Sequence, residues 1–168
     1  MKHLPAFPMT KAALAALLAA LVLAGCGGSD PDKMVASARD FLAKNDSKSA
    51  IIQLKNALQE KPENPEARFL LGQALIRTGD MAGAEAELRK ALALKHPAEA
   101  VVPLLVKALA GQGQFKKLTE EFVSTNLQNP QAQAELKTAL VSAFTSLGKP
   151  AEAQAATAPA TVAASAQS

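Results

Sequence analysis

PEARFLLGQALIRTGDMAGAEAELRKALALKHP, Pro65 to Pro97, decides how this chain folds. Slid along the sequence by 34 residues, the stretch meets itself on both sides. Phe41, Leu75 and Leu109 share one column; Asn45, Gly79 and Gly113 a second; Ala50, Ala84 and Leu118 a third; Leu54, Leu88 and Phe122 a fourth. Ala57 and Ala91 continue the register with Thr125 in third place, and Pro62 recurs as Pro130 two periods on. A period of this length marks one supersecondary unit that buries its apolar face only against its neighbours.

Each column has a physical reason. Asn45, Gly79 and Gly113 are residue types that tolerate a left-handed backbone, which a helix needs in order to stop and reverse within a few residues. Asp46 and Asp80 follow where a helix N-terminus welcomes a side-chain acceptor and a negative charge. Ala50 and Ala84 are small where the two helices of a unit cross closely. Leu54, Ala57 and Leu58, and again Leu88, Ala91 and Leu92, repeat at helical spacing and form one apolar face on the second helix. Pro62 and Pro130 are expected to end that helix, since proline cannot donate to its ladder.

These columns resemble the tetratricopeptide signature, with Leu71-Gly72, Leu75, Gly79, Ala84, Leu88 and Ala91 on the family pattern. Arg68 stands where a bulky aromatic is usual, and the helix-terminal proline is displaced by one to Pro97. The resemblance implies an all-α solenoid of helix-turn-helix units, about three and a half repeats long. The units run 31–64, 65–98 and 99–132, and residues 133–150 hold the helix of a partial fourth repeat. That helical pattern spans roughly Gln131 to Leu147, with Leu136, Leu140, Val141 and Phe144 inward. Gly148 lies 35 rather than 34 residues after Gly113, which places an inserted residue near Asn129 to Gln133. Residues 151–168 are Ala-rich and weakly apolar; a frayed final helix and a disordered tail are expected there.

The other telling stretch is LVLAGCGGSD, residues 21–30, which holds the single cysteine. One thiol makes no internal disulfide and no thiolate metal site. Lys2 and Lys11 precede an unbroken run of Ala, Leu and Val from Ala12 to Ala24, the order of a secretory signal spanning residues 1–25. The run is 13 residues, short of the about 20 that a membrane-crossing helix needs. Leu23-Ala24-Gly25-Cys26 resembles the lipobox of bacterial lipoproteins, in which cleavage precedes the cysteine and its sulfur is acylated. That resemblance makes Cys26 the lipid attachment site and residues 26–30 a short tether, with two or more acyl chains holding the protein on a bilayer. Gly27, which is not Asp, favours the outer over the inner membrane by resemblance to lipoprotein sorting; the chain then faces the periplasm of the cell envelope.

Loss of Lys2 and Lys11 with the signal, which contains no acidic residue, lowers the formal charge from +3 to +1. With no Trp, no Tyr and no basic stripe, the sequence does not read as a nucleic-acid binder. No GxSxG, HExxH or Walker pattern occurs, and the reading is non-catalytic, with no cofactor, no metal and no small-molecule substrate. GQGQFKK, residues 111–117, has no strand before it and reads as a repeat turn. His96 is expected in a helix-dipole or solvent role at a helix end. Glu85 with Glu87, and Glu120 with Glu121, are expected on exposed helical positions.

In such a stack, first helices line the concave side. The ninth position of each unit gives a ladder of Arg39, Gln73 and Lys107, with Phe69, Ile76 and Arg77 nearby. By the family's use of such positions, two cations and an amide around an exposed phenyl would hold an acidic or carboxylate-bearing extended segment of a protein or peptide. The Lys and Asn set that grips chaperone C-termini is absent. AIIQLKNALQEKPENPEARFLLGQALIRTGD, AELRKALAL and VVPLLVKALAGQGQFKKLTEEF resemble the N-terminal repeats of the PEP-CTERM system tetratricopeptide lipoproteins, a likeness covering nearly all of residues 20–147. It implies an envelope scaffold linked to exosortase-dependent protein sorting and exopolysaccharide production. An assembly or pilot lipoprotein for an outer-membrane machine such as a pilus secretin is the alternative reading.

Overall fold

The computed structural model describes residues 30–157. Cys26, the signal stretch and the last residues of the tail lie outside the described residues. Eight helices follow in order: α1 (Pro31–Ala43), α2 (Ser47–Glu60), α3 (Pro65–Thr78), α4 (Met81–Ala93), α5 (Ala98–Gly111), α6 (Phe115–Phe122), α7 (Pro130–Ser146) and α8 (Pro150–Thr157). Among the described residues none of them is long and apolar enough to cross a membrane.

The caps explain the boundaries. Asp46, Asn64 and Asp80 accept hydrogen bonds from the backbone N–H groups of Ser49, Ala67 and Gly83 at 3.1, 3.0 and 2.8 Å, satisfying donors that the first turn leaves open. Asn129 does the same for Gln131 and Ala132, both at 3.0 Å. The reversals fall on the expected column: Asn45, Gly79 and Gly113 have φ of 59°, 86° and 70°, and Gly148, one residue late, has 70°. At Gly79 the amide also closes the end of α3 by donating to Ile76 and Leu75.

The helices pair as α1 with α2, α3 with α4, α5 with α6 and α7 with α8. The tightest crossing is in the second pair. A Cβ on Gly72 would stand 2.6 Å from Leu88 Cγ and 3.4 Å from the Ala84 carbonyl, so only glycine lets α3 approach α4 this closely. Leu88 is fully buried beneath it. The equivalent positions are Ala38 with Ala50 in the first pair, both fully buried, and the larger Val106 with Leu118 in the third. Accordingly α5 and α6 meet far less extensively than α3 and α4. Where the family pattern has an aromatic, Arg68 donates to Glu87 at 2.6 Å and to the Pro62 carbonyl at 2.9 Å, tying the α2–α3 loop to α4.

Two expectations are corrected. Pro130 does not end a second helix: α6 stops at Phe122, and Pro130 opens α7 at a position where its missing N–H costs nothing. The loop that follows α6 is held by side chains: Glu99 accepts from the Gln128 and Asn129 amides at 2.7 and 3.1 Å, and Gln133 accepts from the Leu127 amide at 2.7 Å. The fourth first-helix, α7, is 17 residues long and runs Pro130–Ser146, within one residue at each end of the expected Gln131 to Leu147. Residues 150–157, expected in a frayed end and tail, form α8: alanine is the best helix former, and Ala153 is buried where α8 lies along α7. Leu136, Leu140 and Phe144 point inward as expected, and Val141 is partly buried against the core.

Gly72→Val is expected to lower unfolding free energy by about 1–3 kcal/mol, as overpacking of a filled crossing does. Ala82→Val, at an exposed site on α4, should change it by under about 0.5 kcal/mol. Urea titration followed by circular dichroism separates the two; equal midpoints for both variants would contradict the crossing described here.

Candidate functional site

First helices touch their counterparts along the stack, α1 with α3, α3 with α5 and α5 with α7, whereas α2, α4 and α6 meet no counterpart. The closer-packed row lies on the inside of the curve, so α1, α3, α5 and α7 line the concave face. The ninth-position ladder stands on the first three of those helices, α1, α3 and α5.

Its members differ in state. Arg39 is exposed, but its Nη2 lies 3.0 Å from Glu66 Oε1 and its Nε donates to the same oxygen at 3.3 Å. Gln73 is half-buried, and Lys107 is exposed with no ion-pair partner among the described residues. Arg77 donates from Nη1 to the Leu42 carbonyl at 2.8 Å and closes the end of α1. Ile76 is buried in the core. The phenyl of Phe69, expected to be exposed, is partly buried and stacked on His96, with ring centroids 4.4 Å apart and planes at 18°. His96 is therefore a packing residue rather than a solvated helix end, and its Nδ1 lies 3.8 Å from Glu66 Oε2.

Two adjoining hollows cross this face. One, of about 410 Å³, runs from Phe69 and Gln73 on α3 past Glu99, Pro103 and Leu104 on α5 to Gln131 and Glu135 on α7. The next, of about 470 Å³, lies between α5 and α7, with Pro103, Val106, Lys107 and Ala110 facing Ala134, Glu135, Thr138, Ala139 and Ser142. Pro103, Gln131 and Glu135 border both, which makes one trough. The structure thus brings Phe69, Gln73 and Lys107 to a common surface, while Arg39, Ile76 and Arg77 line neither hollow. Sequence reading missed the α7 wall. Its signal was the recurrence of Ala134, Thr138 and Ser142 every four residues, small side chains on one helical stripe.

The back of the stack is braced by charge. Glu85 and Glu87, expected on exposed positions, are respectively buried and half-buried. Glu85 accepts from Lys117 at 2.6 Å, Arg89 at 2.9 Å and Gln112 at 2.9 Å, while Arg89 forms a two-pronged pair with Glu121 at 2.9 and 2.7 Å. This ties α4 to α6 and to the turn before it. Burial alone pushes the Glu85 carboxyl up, but the hydrogen bonds from Lys117, Arg89 and Gln112 outweigh it and lower its pKa from 4.5 to about 2. Burial opposes the same effect at Glu87, where hydrogen bonds from Lys90 and Arg68 bring the carboxyl below its usual range. Both carboxylates are held ionised between cations, which suits bracing and leaves neither poised to exchange a proton near neutrality.

A family model described as "Tetratricopeptide repeat" matches residues 35–99, the stretch from α1 to the start of α5. No curated protein matches the chain significantly. With the helix pairs described above, the fold is an all-α tetratricopeptide solenoid. Repeats of this kind are generally non-catalytic and suggest a scaffold for protein–protein interaction.

The Glu85 cluster sets a pH dependence. Its carboxyl binds a proton less readily in the folded chain than in the unfolded one, so its contribution to stability is complete above about pH 4.5 and is lost as pH falls toward about 2. Glu85→Gln should remove on the order of 2 kcal/mol at neutral pH and flatten the stability profile between those limits. Urea midpoints measured from pH 2 to 7 for both proteins check this, and parallel profiles would contradict it.

Proposed function

We propose that this tetratricopeptide solenoid is a non-catalytic, lipid-anchored scaffold of the bacterial envelope that holds segments of partner proteins in the trough across α3, α5 and α7. The trough is the observation that carries the reading: it joins Phe69 and Gln73 to Lys107 over three units, on the face where neighbouring first helices converge. A stack that packs its apolar residues between units and leaves such a furrow open suits a bound segment better than a small substrate, which binding sites usually enclose. The anchor is supported by Leu23-Ala24-Gly25-Cys26 at the end of an apolar run. Its acyl chains would fix the solenoid to a membrane, the outer membrane by the residue at position 27, and the partners would be envelope proteins or peptides. The resemblance over residues 20–147 supports a place in PEP-CTERM protein sorting and exopolysaccharide production.

In-cell photo-crosslinking tests the reading, with a photoreactive residue at Gln73 or Ala139 in the trough and at Lys116 on the exposed surface of α6. Mass spectrometry should find adducts to a sorting or polysaccharide-export protein from the trough positions and not from Lys116, and Cys26→Ser should move the protein out of the membrane fraction. Adducts to secretin subunits would replace this assignment by the assembly-lipoprotein one. Adducts from Lys116 alone would overturn the concave site.

A further inference from the structure

We infer that the half of the trough between α5 and α7 takes a helix: an amphipathic partner segment with an acidic residue on one flank and a basic residue on the other. The inference rests on the scaffold reading and names the chemistry of what the scaffold holds.

The two walls are rows at helical spacing. On α5, Pro103, Val106 and Ala110 recur at three and four residues; on α7, Ala134, Thr138 and Ser142 recur at four. Parallel rows of this kind form a groove into which the ridge of a third helix fits. The side chains on the α7 wall are small, so the floor admits close approach.

The backbone of the occupant is the second argument. An extended segment arrives with unpaired N–H and C=O groups that its site must satisfy. Here the walls are helices whose backbone is paired internally save at Pro103, which has no N–H to offer, and the amide side chain of Gln131, at one end, already donates to Glu135 at 3.2 Å. A helix brings its backbone hydrogen bonds with it and asks the groove only for apolar contact.

Charge sets the flanks. Lys107 stands exposed on the α5 rim with no ion-pair partner among the described residues. Glu135 stands exposed on the α7 rim, bonded to the neutral Gln131 and to no cation among the described residues. Elsewhere on the stack several cations are matched within the chain: Arg39 by Glu66, Arg68 by Glu87, and Arg89 by Glu85 and Glu121. One rim therefore selects a carboxylate and the opposite rim an ammonium or guanidinium, which narrows the expectation of a purely acidic ligand along the ladder.

Three synthetic 16-residue helical peptides with the same apolar stripe test this against the full chain by fluorescence anisotropy: one with an acidic and a basic flank, one with both flanks acidic, one with both basic. The mixed peptide should bind about fivefold more tightly than either of the others, as one exposed ion pair in place of a like-charge contact would give. Lys107→Glu should shift the preference to the basic peptide, and Lys107→Glu with Glu135→Lys should restore it to the mixed one. Ala139→Trp should fill the groove and abolish binding, and the helical circular-dichroism signal should rise on complex formation. Equal affinities for the three peptides, or binding indifferent to Lys107→Glu, would overturn the inference. Crosslinks from Gln73 and Ala139 without any such preference would remove the charged helix and leave the scaffold standing; the preference without crosslinks would do the reverse.

Discussion

The structure depends on the absence of one side chain, at Gly72. Removing it lets α3 sink against Leu88 and the Ala84 carbonyl, a crossing that a side chain at this position would push apart. The first unit follows the same rule with Ala38 and Ala50. The third breaks it with Val106 and Leu118, whose volume holds α5 off α6. Close packing transmits such differences, because an interior at crystal-like density cannot absorb extra methyl groups without moving a helix. The stack is consequently firm on its N-terminal side and looser where α6 is short, and the open groove between α5 and α7 lies on that looser side.

Charge does different work on the two faces. On the back, Glu85, Arg89, Lys117 and Glu121 bridge α4 and α6, which share no backbone-level contact of their own, so long side chains span the divergent side of the curve. On the front, Arg39 is spent on Glu66 and Arg77 on the Leu42 carbonyl, binding the first unit to the second. What remains unmatched at the trough, Lys107 and Glu135, is placed for an external partner. The surface that a ladder of register positions suggests is thus cut down, by contacts within the chain, to its C-terminal half.

Much of this was legible in the sequence, for a local reason. Left-handed turns favour Asn or Gly, N-caps Asp or Asn, and close crossings Ala or Gly, and where one residue meets such a demand at a fixed interval a 34-residue column reveals it. Lys95, left-handed off the column, and α5 and α6, which start without a side-chain cap, leave no such trace. The end of α6 was not legible, because Val123 to Asn129 holds no glycine or proline and the segment is held by Glu99, almost 30 residues earlier in the chain. The Arg39–Glu66 pair, 27 residues apart, and the stacking of His96 on Phe69 are equally long-range and leave no periodic trace. On the trough, register found Gln73 and Lys107, whereas the α7 wall escaped notice because small residues on a helix read as packing until a structure shows that face open.

Hydrogen-exchange mass spectrometry of the full chain tests the graded stack most directly. Exchange of each amide reports the free energy of the opening that exposes it, so a solenoid with one tight crossing and one loose one cannot protect its units equally. Amides of α3 and α4 should exchange last, those of α1 and α2 somewhat earlier, and those of α6 and α8 first. Protection that is uniform along the chain, or greatest in α6, would mean that the Gly72 crossing does not organise the fold.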